Sequence, residues 1–233
     1  MRKLMLFMAL LPVLTSAWAQ AGSHKISRNT FYSECSKSFP NYLFTGEARN
    51  SFDGIFDYWE SKRYEDKRWL AYILATAYRE TAGTMLPVRE GLCSNDQCSI
   101  DAVTALFKKN NRPDSENYAQ DVNGKSYFGR GFVQITHKRN YARVGQRLGW
   151  GNDLVDHPEL ALQREKAIPI LVEGVVQGLF SRDPKTGEWR KLSTYLNERE
   201  SDWLGSRRII NPGSKRAQIP AEYAKKFYAC LSK

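Results

Sequence analysis

Apolar side chains recur along this chain at three- and four-residue intervals, the period of a helix that buries one stripe. From Asp66 to Glu80, Trp69, Ile73 and Ala77 share such a stripe, which predicts a buried helix. A second helix is expected from Ser99, a candidate N-cap, to Lys109. A third runs from His137 to Leu148, with Tyr141, Val144 and Leu148 inward and Gly149 and Gly151 ending it. The apolar run from Gln163 to Phe180 reads as a longer helix bent at Pro169. Pro220 fits the first turn of a last helix, with Ala224, Phe227, Tyr228 and Leu231 facing the core. Residues 81–97, 110–131 and 181–189 show no such period, although Asn123-Gly124 signals a tight turn and 127–136 is expected to be extended. The fold class is therefore mainly α, one domain with a small β element and long loops around a cleft, and loops of that length are commonly functional.

Composition narrows this picture. With 233 residues, 42% hydrophobic and 26% charged, the chain is an ordinary globular sequence, which excludes a disordered, collagen-like or polytopic membrane protein. Residues 1–19 have the form of a secretory leader: Arg2 and Lys3, an apolar run from Leu4 to Leu14, then Ala17-Trp18-Ala19. Its removal takes two charges from a formal net charge of +10. The expected location is secreted or periplasmic, without a membrane anchor, as a monomer. Residues 20–65 read as an N-terminal extension packed on a domain formed by 66–233.

Export agrees with the cysteines. Cys93 and Cys98 bracket a polar turn and favour a local bridge, which would leave Cys35 to pair with Cys230 across the chain. A zinc site is the alternative, but His24, His137 and His157 are scattered without ligand spacing, and no metal or organic cofactor is expected.

Two carboxylates carry the candidate chemistry. At about 100° per residue, position 80 returns to within about 20° of position 69, so Glu80 lies on the core-facing stripe beside Trp69. A carboxylate there must either pair with a cation or sit desolvated at a cleft floor. Glu90 follows ten residues later in a glycine-bounded loop. One sheltered and one wetter carboxylate suit acid–base hydrolysis of a glycosidic bond; an ion-paired Glu80 and a solvated Glu90 are the plain alternative. In Tyr127–Asn140 (YFGRGFVQITHKRN), Gly129 and Gly131 flank Arg130, and an extended 132–136 would point Gln134 and Thr136 to one side. That pair could hold a water or a sugar hydroxyl, or Thr136 could simply cap the next helix. Arg207-Arg208 followed by Asn211-Pro212-Gly213 presents either cationic and amide groups to a ligand or a plain surface turn. Serine-hydrolase, P-loop and dinucleotide motifs are missing.

Taken together, AYILATAYRETAGTMLPVRE, YFGRGFVQITHKRNY, DLVDHPELAL, KLSTYLN, SRRIIN and AEYAKKFYACL resemble glycoside hydrolase family 19, in its bacterial and phage lysozyme-like branch. The resemblance covers most of residues 66–231 in order, and Gly-Arg-Gly-x-x-Gln-Ile-Thr followed by Asn-Tyr is its most specific part. It implies a lysozyme-like fold and an inverting mechanism on β-1,4-linked N-acetylated amino sugars, either peptidoglycan or chitin. Glu80 then matches the general acid, Glu90 the base that activates water, and Thr136 the hydroxyl that holds that water. Gln134, Tyr127, Asn140, Arg208 and Asn211 match positions near the substrate. Plant members read His-Glu-Thr where this chain has Arg79-Glu80-Thr81, and the glycine pair that follows is reduced to Gly83. An inverting pair should stand about 6.5–9.5 Å apart, leaving room for water. The positive charge favours anionic peptidoglycan over neutral chitin as the polysaccharide partner. Nucleic acid is not an expected partner, because the basic residues are spread along the chain. A secreted glycan-binding module that has lost activity is the rival of another class.

Overall fold

The computed structural model describes residues 25–119 and 123–233; the leader expected at 1–19 lies outside them. In chain order the elements are α1 (Arg28–Cys35), α2 (Gly46–Ser61), α3 (Lys67–Glu80), β1 (Val88–Arg89), α4 (Asp96–Lys109), β2 (Arg130–Gly131), α5 (Lys138–Arg147), α6 (Asp153–Asp156), α7 (Arg164–Val176), α8 (Leu192–Tyr195) and α9 (Gln218–Leu231). The mainly α expectation holds, with one two-stranded antiparallel ribbon pairing Val88 with Gly131 and Arg89 with Arg130. Among the described residues no helix is long and apolar enough to cross a membrane.

Helix α3 is the axis of the molecule. Asp66 caps it, its side chain accepting from the Arg68 N–H, and every residue from Leu70 to Ala77 is buried. A helix apolar on all sides needs partners all round, and α9 and α7 both pack against it. Around the α3–α9 pair, residues 28–61 add an aromatic layer: Phe31, Phe52, Phe56 and Trp59 are at most 1% exposed and share one core with Phe227 and Leu231. The Cys35–Cys230 disulfide ties α1 to α9, and Cys93–Cys98 closes the turn before α4. A smaller apolar cluster of Val103, Phe107, Ala119 and Phe128 supports α4 and the loop leading to β2.

Four expectations need correction. Helix α4 begins three residues before Ser99, because Asn95 is the residue whose side chain accepts from the Cys98 N–H. Helix α7 runs through Pro169 but ends at Val176; Gly178, at φ +75°, turns the chain where a Cβ would meet the Arg190 carbonyl at 2.6 Å. Tyr228 of α9 is 36% exposed, while Ala224, Phe227 and Leu231 are buried. Residues 132–136 are not extended: 132–134 form a tight turn closed by a bridge between Arg130 and Ile135, with Gln134 at φ +54°. The sidedness survives, since Val133 and Ile135 are buried and Gln134 and Thr136 are partly open.

Candidate active site

The cleft has a volume of about 200 Å³ and is lined by Glu80, Gln134, Thr136, Asn140, Arg207 and Asn211, with Val133, Ile135, Phe180 and Ile210 as its apolar wall. Glu80 reaches it as the last residue of α3. The helix stops there in a Schellman arrangement: the Gly83 N–H donates to the Tyr78 carbonyl and the Ala82 N–H to that of Arg79. Thr81, fully buried, fixes the same turn by donating to the Ala77 carbonyl and accepting from the Met85 N–H. Glu80 therefore leaves a rigid helix end with its carboxylate turned to the cleft. Its Oε1 accepts from Arg207 Nη1, a pair whose side chains are only 18% and 9% exposed.

That ion pair corrects one expectation. Arg208 is exposed and does not line the cleft; only its backbone is engaged, accepting from Ser181 Oγ. Arg207 takes the inward position because residues 205–209 form a tight helical turn that points adjacent side chains to different sides. Tyr127 also leaves the site: it is 2% exposed, packs edge-on to Tyr141 and donates to the Val155 carbonyl. The resemblance implies a place near the substrate for Tyr127, but its ring faces the core. His137, which the basic residues around it suggest is solvent-facing, is half-buried with its ring 4.8 Å from that of Tyr118.

Glu90 enters from the ribbon. Its backbone N–H donates to the Gly129 carbonyl at 2.7 Å, and its Oε2 accepts from the Gly129 N–H at 2.7 Å. Oε1 accepts from the Tyr118 hydroxyl at 2.7 Å. Burial first, and then the nearby Glu90 carboxylate, push the Tyr118 phenol far above its ordinary value, so it remains a donor. Ser99 of α4 donates to the Glu90 carbonyl at 2.9 Å, which anchors the backbone too. Glycine is required at 129: a Cβ there would stand 3.1 Å from Glu90 Oε2 and 2.8 Å from Gln134 Oε1. The same two distances place Glu90 next to Gln134, hence at the edge of the cleft that holds Glu80.

The arginine of the Gly-Arg-Gly motif has a structural task. Arg130 is 1% exposed, stacks on Phe128 with its guanidinium 3.6 Å from the ring centre, and donates to the Ser126 carbonyl and to Asp96. Asp96 also accepts from Arg89 at 2.6 Å. Burial works against the Asp96 charge, but the Arg89 and Arg130 hydrogen bonds outweigh it and hold the carboxyl below its usual value. Both strands of the ribbon are thus clamped to the start of α4.

Thr136 does not cap α5. His137 occupies the cap position, without a side-chain hydrogen bond, and Thr136 lines the cleft. Asn140 Nδ2 donates to the Thr136 carbonyl at 2.7 Å, and Gln134 Nε2 donates to the carbonyls of Val88 and Gly131 at 2.9 and 3.0 Å. Asn211 lies at the exposed rim. Tyr118 is a functional candidate that the sequence did not single out, and of the Arg207-Arg208 pair it is Arg207 that meets Glu80. Tyr118 stands 28 residues from Glu90 in an irregular loop, where no spacing could mark it.

Comparison with known proteins bears on the family and the fold. The family model described as chitinase class I matches residues 23–169, more than half of the chain. Chitinase 3 of Oryza sativa subsp. japonica is 29% identical over 129 residues, covering 53% of this chain and 32% of the rice protein. The acidic endochitinase pcht28 of Solanum chilense is 56% identical over 34 residues, which is 15% of this chain and 13% of that protein. The chain thus spans about a third or less of the length of these relatives. The structure of chitinase C from Streptomyces griseus superposes with a TM-score of 0.56 over 92% of this chain and 96% of that one, at 17% identity, so the two share a fold.

Proposed function

The chain belongs to glycoside hydrolase family 19, and from that premise we propose that it hydrolyses β-1,4 linkages of N-acetylated amino-sugar polymers by inversion. The observation that carries this is the pair of carboxylates held in two different ways, Glu80 in the lining of the cleft and Glu90 beside the lining residue Gln134. Glu80 is the general acid, fixed at the helix end with Arg207 ready to pair with the carboxylate that proton donation leaves behind. Glu90 is the base: Tyr118 and Gly129 orient its two oxygens, whose other lone pairs can take a proton from water. Thr136 holds that water, and Gln134, Asn140 and Asn211 receive the sugar.

The polymer is peptidoglycan. The positive charge that remains once Arg2 and Lys3 of the leader are taken from the formal +10 draws the protein to an anionic wall and gives no such advantage on neutral chitin. Chitin is the second reading, favoured by the names of the relatives above. The two disulfides fit work outside the reducing cytoplasm, after removal of the leader.

Purified peptidoglycan and colloidal chitin, incubated in parallel, test this through turbidity loss, soluble sugar and the anomer first released. Clearing of peptidoglycan with an inverted product, abolished in a folded Glu80→Gln protein, is the expected result. Release from chitin alone would move the substrate to the second reading. Full activity in Glu80→Gln would take that residue out of the mechanism, and binding of either polymer without cleavage would make the protein a glycan-binding module.

A further inference from the structure

A second recess, of about 490 Å³, adjoins the cleft and is lined by Arg143, Arg147, Arg182 and Trp189 together with Gln146 and Gln177. One guanidinium joins their walls. Arg143 Nη1 donates to Oδ1 of Asn140, a cleft residue, at 2.8 Å, and to the carbonyl of Leu179, whose neighbour Phe180 lines the cleft, at 3.0 Å. A strand lying in the cleft can therefore carry its substituents into this recess.

The charge there is one-sided. The Trp189 ring has two guanidiniums against it, Arg143 at 4.6 Å and Arg182 at 4.2 Å from the ring centre. Arg139, Arg143 and Arg147 follow one another every fourth residue of α5, a spacing that sets like charges side by side. Their hydrogen bonds go to neutral groups: Arg147 Nε donates to Gln177 Oε1 at 3.1 Å, and Arg182 Nη1 to the Gly187 carbonyl at 3.1 Å. No carboxylate lines the recess, and among the described residues none of Arg143, Arg147 and Arg182 forms a salt bridge. Burial, and then Arg139 and Arg182, pull the Arg143 guanidinium below its ordinary value, the sign of positive charges gathered without a counter-charge.

We propose that this recess is an anionic subsite, which takes carboxylates borne by the peptide-substituted glycan strand that occupies the cleft. It rests on the glycan reading of the cleft and adds to it a selectivity for carboxylate-bearing over neutral amino-sugar polymers. Guanidinium forks match carboxylates in pairs of parallel hydrogen bonds. The Trp189 face offers an apolar platform beside them. A neutral strand would leave the three guanidiniums with nothing gained.

The test is the double substitution Arg147→Gln/Arg182→Gln, at two exposed positions outside the cleft. Four probes are used: peptidoglycan sacculi that keep their phosphate polymers, sacculi stripped of them, the stripped sacculi with their carboxyls amidated, and a neutral chitin oligosaccharide. Co-sedimentation reads binding independently of cleavage. The variant should bind stripped sacculi about tenfold more weakly, with a shallower dependence on salt. It should cleave or bind the neutral oligosaccharide within twofold of the parent. Amidation should weaken the parent by a similar factor and leave the variant unchanged. Equal loss on the neutral oligosaccharide, or indifference of the parent to amidation, would overturn the subsite. A difference seen only on sacculi that keep their phosphate polymers would overturn the carboxylate assignment. Parent protein that binds sacculi in this carboxylate-dependent way without cutting them would sink the hydrolase reading while the subsite stands.

Discussion

Glu90 is oriented by a tyrosine that is itself packed on an imidazole, so the base has a pH-sensitive neighbour. Burial, followed by Arg139 and Arg112, lowers the His137 pKa from its usual value. The fold therefore prefers the neutral ring, while the unfolded chain takes up a proton near pH 6.5, the ordinary histidine value. The stability this supplies is complete above about pH 6.5 and is lost as pH falls through the lower folded-state value. Asparagine at position 137 keeps a polar side chain that does not titrate. His137→Asn should therefore narrow the fall in melting temperature between pH 7 and pH 5 relative to the parent, and equal falls in both proteins would exclude His137 as the titrating group. The adjacent arginines allow a second contrast. Arg207→Gln removes the cation paired with Glu80 at the cleft floor, so kcat should drop about 100-fold, as for loss of a transition-state charge partner. Arg208→Gln alters an exposed side chain and should change kcat less than about twofold. Steady-state kinetics with similar losses in both would refute the division of roles.

Helix α3 ends on Ala82 at φ +50°, the position in this motif where glycine is usual. An L-residue held there costs about 1 kcal/mol, and Ala82→Gly should recover that amount, raising the melting temperature by about 2–4 °C. A lower melting temperature would mean that the alanine methyl makes contacts worth more than the strain. Here the helix was legible in the sequence and its exact stop was not. The stripe of Trp69, Ile73 and Ala77 located α3 and put Glu80 on its core side, because a buried helix writes its period into its apolar residues. The ribbon wrote no such period: its strands are two residues long, and its conformation comes from Gly131, whose missing Cβ admits the Ala161 carbonyl at 2.6 Å. Which arginine of the 207–208 pair faces the cleft was hidden for a similar reason. Two neighbouring arginines look alike in sequence, and only the turn at 205–209 decides which one meets Glu80. Tyr118 meets Glu90 through tertiary packing alone.

The aromatic layer and the long disulfide both act where the ends of the described chain meet, away from the cleft. Phe39 stacks on Phe227 with ring centres 4.3 Å apart, Phe31 packs on Phe56 at 4.9 Å, and Cys35–Cys230 joins α1 to α9 across 195 residues of sequence. None of these residues lines the cleft. Closing so long a loop removes much freedom from the unfolded chain, worth up to about 5 kcal/mol in the chain-entropy account. At about 2–4 °C per kcal/mol for a chain of this size, that is a shift of about 10–20 °C. The aromatic contacts remain when the sulfurs are gone, so α1 should stay docked on α9 at room temperature. Cys35→Ala/Cys230→Ala should therefore melt well below the parent while keeping its kcat at 25 °C. A scan showing an unchanged melting temperature would mean that packing alone fixes the termini. A kcat that falls at 25 °C in a protein still fully folded by circular dichroism would show instead that tension from this junction reaches Glu80 along α3, which α9 supports from end to end.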